Sequence, residues 1–462
     1  MDLTSRLRSI VRPPGSAPRE LTYEPDTGRY EASIDLDRIA DVLGGRVAVN
    51  AFGRALVVER RYESDRFHGT RRVGDCDVAD GETLRLLDPA LRPPDGAGER
   101  TLFVDLETTG LSGGAGMVAF LVGVGWFDMG AFQVRQFLLT SYASERALLC
   151  AVAECFDAAA LLVTYNGKTF DVPVMETRWM FHRMRMPLET VRHFDMLHPA
   201  RRLWRGRWSD AGAGASTETG GAGPSTGLGA GPSTRLGAGP STGLGCRLAT
   251  LERVLCDVTR VGDVPGIEIP GRYFRFLRSG DARPLEPVLE HNRLDLISLA
   301  AVTAHAVQLV ERGTTECRDA AEALGLGKVY ERAGCFDRAL ACYERAADDR
   351  SADVDVVAEA LYRLGLRLRR DRRFSDAAAV WRRVVELKQG RFGRRSELIP
   401  ALRRFAVEAL AIHHEHREKD YEGAKELTLQ LLEESSEAQA AEHRLSRLER
   451  KIARRNDTHL FA

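Results

Sequence analysis

Two acids one residue apart, Asp105 and Glu107, stand in the segment Thr101-Leu-Phe-Val-Asp-Leu-Glu-Thr-Thr-Gly110. The apolar, β-prone run Leu102-Phe103-Val104 ahead of them predicts a strand. Side chains alternate across a strand, so Asp105 and Glu107 share a face while Leu106 turns into a core. Carboxylates this close repel each other unless a positive charge lies between them. A hard divalent cation, which takes carboxylate oxygens, suits such a pair; two solvated acids at a strand end are the plain alternative. Two later segments extend the pattern. Asn166-Gly-Lys-Thr-Phe-Asp171 follows the predicted strand Leu161-Leu-Val-Thr-Tyr165 and opens a helix, with Asp171 in its first turn. An acid there also suits the helix dipole and need do nothing more. Glu290-His-Asn-Arg-Leu-Asp295 falls in a predicted helix from about Leu285 to Val307, where His291 and Asp295, four apart, share a face.

In this order the three segments resemble the ribonuclease H-like superfamily of 3′–5′ exonucleases with four acids, the DEDD group. Within it the chain is similar to the bacterial YprB-type ribonuclease H-like proteins. The resemblance runs from about Leu102 to Val310, less an insertion, and includes His193-Phe-Asp-Met-Leu-His-Pro-Ala-Arg-Arg-Leu-Trp204, Leu248 to Leu255 and Pro270-Gly-Arg-Tyr-Phe-Arg-Phe276. It implies that Asp105, Glu107, Asp171 and Asp295 hold two divalent metals, Mg²⁺ or Mn²⁺, that activate a water and stabilise the leaving oxygen of a phosphodiester. In the family a Tyr four residues before the last acid, or a His five before it, orients or deprotonates that water. His291 is a His at the four-residue spacing, so the resemblance leaves open whether it is the general base. Thr108 and Leu111 match positions near the terminal nucleotide. Asn166 and Lys168 are candidates for phosphate contact or substrate positioning. Asp195 is either a support of the site or a structural cap.

The elements that must position these residues read as an α/β unit over residues 99–312, a ribonuclease H-like mixed sheet flanked by helices. Phe120 to Trp126 and Phe132 to Leu139 are predicted antiparallel strands. Ser144 is placed as the cap of a helix to about Ala158, with Glu145 in its first turn. A helix from about Phe170 to Met184 and a short strand Val191 to Asp195 follow. Residues 1–98 form an accessory region with short strands at Arg46–Val49 and Ala55–Val58 and a turn at Pro93-Pro-Asp-Gly96. Residues 209–245 carry a Gly-Ala-Gly-Pro-Ser-Thr motif that starts at Gly221, Gly229 and Gly237, and such a tract is expected to be a disordered insertion. Residues 313–462 read as an all-α repeat domain. Leu326, Gly327, Tyr330, Phe336, Ala339, Tyr343 and Ala346 recur as Leu364, Gly365, Leu368, Phe374, Ala377, Trp381 and Val384, with Tyr421, Ala424 and Leu431 as a weak third copy. This resembles the tetratricopeptide repeat, although the interval of 38 exceeds its usual 34. All four acids precede Thr314, so a chain cut there is expected to remain a folded nuclease.

Lys plus Arg and Asp plus Glu are equal at 66 each, which excludes a whole-surface electrostatic binder of nucleic acid. No apolar run approaches twenty residues, so no membrane span is expected, and the N-terminus reads as lacking a secretory signal. Eight scattered cysteines without a Cys-x-x-Cys pair point to core thiols in a reducing cytoplasm. Gly113-Gly-Ala-Gly116 lacks the Lys-Ser/Thr of a P-loop, and His413, His414 and His416 are assigned to a solvated helix face. The expected activity is metal-dependent 3′–5′ exonuclease action on a single-stranded DNA or RNA end, with a protein partner possible on the helical repeats. The rivals are a structure-specific endonuclease on the same site, and an inactive nucleic-acid-binding or scaffold protein that works through its repeats.

Overall fold

A computed structural model describes residues 35–77, 81–93, 100–110, 116–189, 191–204, 246–387, 398–434 and 439–459. The expected insertion at 209–245, and Leu111, lie outside the described residues. Helix α1 (Leu36–Leu43) is followed by strands β1 (Arg46–Asn50), β2 (Gly53–Tyr62), β3 (Phe67–His68) and β4 (Arg71–Arg72) and helix α2 (Gly81–Leu87). Then come β5 (Arg100–Thr108), β6 (Ala119–Asp128), β7 (Ala131–Leu138), α3 (Glu145–Ala153), β8 (Ala159–Thr164), α4 (Asp171–Phe181), β9 (Arg192–Asp195) and α5 (Leu197–Trp204). Helices α6 (Leu248–Cys256), α7 (Ile269–Ser279) and α8 (Glu286–Arg312) complete the α/β part.

Seven strands make one mixed sheet in the order β1-β2-β7-β6-β5-β8-β9. The first five are mutually antiparallel; β5, β8 and β9 run parallel. The short hairpins β1–β2 and β6–β7 make the antiparallel half, and the crossovers through α3 and α4 force the parallel half. Central β5 is apolar on both faces until its last residues, as a strand covered on both sides must be. Leu102, Val104 and Leu106 enter one core with Phe120, Leu148, Trp179 and Tyr273. Phe103 enters the other, with Phe132, Val163, Phe194 and the apolar face of α8. Residues 46–62, which the sequence places in the accessory region, therefore supply two strands of the same sheet, with β2 paired to β7 from Leu56 to Tyr62. Their register partner lies about 80 residues downstream, which no local pattern encodes.

Ser144 does not cap α3: its hydroxyl donates to the Ser141 carbonyl. Glu145 is instead buried, in an ion pair with buried Arg178 and a contact with His182. Helix α8 is long and apolar enough to cross a membrane, but 72% of its apolar window is buried inside the protein, as in a central core helix. All eight cysteines are unpaired; Cys155 and Cys342 are buried as expected, and Cys150 is partly buried.

The chain continues as antiparallel helices α9 (Ala320–Ala333), α10 (Phe336–Asp348), α11 (Val354–Arg370), α12 (Phe374–Glu386), α13 (Leu398–His413), α14 (Tyr421–Glu434) and α15 (Gln439–His459). The two clear sequence copies pack alike: Tyr343 lies against Gly327, and Trp381 against Gly365, where an added Cβ would come within 2.5 and 2.3 Å of the rings. These helices share a core with the α/β part. Trp204 of α5 donates its indole N–H to Glu322 of α9 at 2.8 Å, both fully buried. At Gly325 the carbonyl of Leu203 sits 2.4 Å from where a Cβ would stand. A cut before Thr314 would expose part of this shared core, which bears on the expectation that the nuclease part remains folded without the helices.

Candidate active site

Strand β5 ends in an irregularity: its register against β6 shifts between Glu107 and Thr108. Bulges of this kind re-aim side chains and are frequent beside active sites. Asp105 and Glu107 lie on the sheet face crossed by α8, and Asp105 pairs in register with Gly123 of β6. The missing side chain at Gly123 makes room for Asn292 of α8, whose Oδ1 lies 2.2 Å from where a Cβ would be. Asn292 is fully buried and donates to the Asp105 carboxylate at 2.8 Å and to its carbonyl at 3.1 Å. Gln136 of β7, also fully buried, donates to Asn292 and to the Leu289 carbonyl, which fixes α8 over the sheet.

Asp171 arrives from the far side of β5. Asn166 takes a left-handed backbone conformation at φ 69°, one that Asn tolerates, and Gly167 follows so tightly that a Cβ would meet the Thr164 side chain at 2.3 Å. The chain then enters α4 with Asp171 in its first turn. The Asp171 carboxylate accepts the amide of Leu106 and its own amide. Asp195, fully buried, secures this turn by accepting the amides of Asn166 (2.8 Å), Lys168 (3.0 Å) and Leu197 (3.1 Å). It is both a cap for α5 and a support for the Asp171 loop.

Asp295 and His291 share one face of α8, as their spacing predicts. His291 Nδ1 is 2.6 Å from Asp263, while Nε2 faces Asp295 Oδ2 at 3.5 Å and Glu107 Oε1 at 3.9 Å. The ring thus bridges Asp263 on its Nδ1 side and the two site carboxylates on its Nε2 side. Burial and the charges of Asp295, Glu107 and Asp171 hold the Asp105 carboxyl well above the usual range. Burial and the charges of Asp295, Asp171 and Asp263 do the same to Glu107. Burial, then the Asp195 charge, pushes Asp171 up to about 7 against the two amide bonds that favour its charged form. Among the described residues only Arg260 and His291 bring a basic group within 4 Å of any of the four acids. Four converging carboxylates with so little compensation form a hard-oxygen donor set that suits divalent cations. The residues present therefore fit the metals that the sequence implies.

The other sequence candidates fare differently. Thr108 is buried, with its hydroxyl donated to the Gly110 carbonyl at 2.7 Å, so it shapes the turn after β5. Asn166 is exposed, and its side chain accepts the Thr169 hydroxyl. Lys168 is not free for a phosphate: its ammonium pairs at 3.0 Å with Asp88, which is 9% exposed. His413 is buried rather than solvated, and His414 lies against Glu418 and Asp420 in a π-helical turn at His414–Glu418. Asp263, Arg260, Asn292 and Gln136 were not singled out by sequence. Gly262-Asp263-Val264-Pro265 offers only a turn signal, and Asn292 only its place beside His291.

Comparison with known proteins agrees with this geometry. A model of the RNase_H superfamily matches residues 102–214 and 235–307, the span that carries all four acids. The chain is 28% identical over 357 residues to the Bacillus subtilis (strain 168) protein YprB, which covers 76% of this chain and 75% of that protein.

Proposed function

We propose that this chain, which resembles the RNase_H superfamily over residues 102–214 and 235–307 and the YprB protein over 76% of its length, is an RNase H-like, metal-dependent nuclease acting as a 3′–5′ exonuclease on single-stranded DNA or RNA ends. The observation that carries the reading is that Asp105, Glu107, Asp171 and Asp295, from three separate segments, lie close enough to raise one another's carboxyls, with His291 Nε2 3.5 Å from Asp295 and 3.9 Å from Glu107. The four carboxylates would hold two Mg²⁺ or Mn²⁺ ions, which when bound supply Lewis-acid activation of water and charge stabilisation at the leaving oxygen. His291 Nε2 orients the water or takes its proton, and Asp263 keeps the ring in the tautomer that leaves Nε2 free. Asn292 fixes Asp105, and Asp195 fixes the loop that delivers Asp171. The terminal nucleotide lies near Thr108 in this reading. The helices from α9 onward add a surface for a protein partner, and eight unpaired thiols fit a cytoplasmic setting.

The test is purified full-length protein with 5′-labelled single-stranded DNA and RNA, with Mn²⁺ or EDTA, and with the 3′ end free or blocked. Stepwise shortening that needs Mn²⁺ and a free 3′ end is expected. Cleavage of the blocked oligonucleotide would instead establish endonuclease action. No cleavage of either polymer under any metal would leave a binding or scaffold role.

A further inference from the structure

The loop after α6 carries a buried arginine that the four-acid reading does not use. Arg260, with its side chain 7% exposed, touches three carboxylates. Its Nε and Nη2 grip both oxygens of Glu252 at 2.6 and 2.8 Å, Nη2 also donates to Asp295 Oδ1 at 2.5 Å, and Nη1 donates to Asp263 Oδ2 at 3.2 Å. Glu252 is almost fully buried, and it also accepts the hydroxyl of Ser298, which meets His68 Nε2 at 2.8 Å. The guanidinium is thus anchored from behind on α6 and α8. Its forward donors reach the two acids on the α8 side of the site: Asp295, and Asp263, which holds His291.

We propose that Arg260 is the positioning residue of this site. It occupies Oδ1 of Asp295 so that only Oδ2 is offered to a cation, and through Asp263 it sets the ring of His291. The inference rests on the reading of Asp295 as a metal ligand. A guanidinium so close to a cation site would repel the cation, but Glu252 neutralises it on the spot. Lysine could not replace it, since a single ammonium cannot span three carboxylates in fixed directions. Partners that orient metal-binding side chains typically matter about 10–100-fold in affinity or rate.

The experiment uses the full chain. Arg260→Lys keeps the charge and loses the fork; the double variant Arg260→Gln/Glu252→Gln removes both charges at similar volume, so that Glu252 is not left as an unpaired buried acid. Asp263→Asn removes the charge that Arg260 Nη1 and His291 Nδ1 share, and leaves the Arg260 contacts to Glu252 and Asp295 in place. Mn²⁺ affinity is measured by titration calorimetry, and kcat and KM with a labelled oligonucleotide, after melting curves have shown folded protein. The two Arg260 variants are expected to weaken Mn²⁺ binding and to lower kcat by about 10–100-fold each, with KM little changed. Asp263→Asn should lower kcat and leave Mn²⁺ affinity as in the wild type. Folded Arg260 variants with wild-type Mn²⁺ affinity and kcat would reduce the arginine to a structural ion pair and overturn the proposal. Wild-type protein that binds no Mn²⁺ would overturn the metal reading itself, and so marks a separate failure.

Discussion

Replacing Asp171 by Asn should stabilise the cation-free protein while abolishing its activity. Asp171 is 6% exposed, and burial and the Asp195 charge raise its carboxyl from 3.8 to about 7. At 1.36 kcal/mol per pH unit, that interval corresponds to about 4 kcal/mol for keeping the group ionised at pH 8 without a counter-ion. The sign follows from linkage. The folded state binds the proton more tightly than the unfolded chain does. Stability is therefore gained as the pH falls through about 7 towards 3.8, and is lacking above 7. The amide side chain keeps the volume, and its carbonyl can still accept the amides of Leu106 and residue 171. With roughly 2–4 kcal/mol recovered, the melting temperature at pH 8 in EDTA should rise by roughly 2–4 °C for a chain of this size. The gain should shrink as the pH falls below about 7, with roughly a third to a half left at pH 5 and almost nothing left near 3.8. Saturating Mn²⁺ should reverse the order, because a ligand that binds only the folded state stabilises the wild type. Differential scanning fluorimetry across pH 5–8, with EDTA or Mn²⁺, reads all of this. An Asp171→Asn variant that melts below the wild type in EDTA at pH 8 would refute the argument that uncompensated charge is stored in the site.

Gly123→Ala should lower activity tenfold or more without touching an acid, since its Cβ would collide with Asn292 at 2.2 Å and displace the side chain that holds Asp105; an overpacking cost of about 1–3 kcal/mol in the melting curve should accompany it. His291→Ala should lower turnover by about 10²–10⁴ with little loss of Mn²⁺ affinity, and His291→Tyr should retain more activity than the Ala variant; an Ala variant with full turnover would make His291 a bystander. Glu415, fully buried under Arg447 and Lys451, has its carboxyl held down to about 2, chiefly by the Arg447 hydrogen bond. Its contribution is present above pH 4.5 and is lost as the pH falls towards 2, so Glu415→Gln should destabilise the helical region by about 2–3 kcal/mol at pH 7 and by much less at pH 3, as read by circular dichroism. Removing residues 314–462 should give insoluble or unfolded protein, because Trp204 loses Glu322 and the core over α5 opens; a soluble truncated chain with a cooperative transition would contradict this.

The acids of the site were legible because their chemistry leaves a local mark. Asp105 and Glu107 differ by one residue at the end of an apolar strand, Asp171 opens a helix, and Asp295 follows a histidine by one helical turn. The strands were legible for the same reason: Leu102, Val104 and Leu106 alternate with Phe103, Asp105 and Glu107, and the first set enters one core while Phe103 enters the other. What escaped was set by pairings between distant segments. Lys168 reads as a free cation until Asp88, 80 residues earlier, is brought against it. Strand β2 reads as part of an accessory region until β7 pairs with it.

The supports of the site escaped for a deeper reason. Asp263 and Arg260 lie in a loop without periodicity, and their side chains acquire meaning only where that loop crosses α8. A buried arginine that serves three carboxylates has no preferred spacing from them: Glu252 is 8 residues away, Asp263 is 3 and Asp295 is 35. Ligands must be particular residue types at a strand end or helix face, so a sequence displays them. The groups that aim those ligands need only arrive by some route through the fold, so the three-dimensional packing alone displays them. For this reason Gly123, a residue without chemistry of its own, shapes the site as firmly as the acid beside it: the space it leaves is where Asn292 stands.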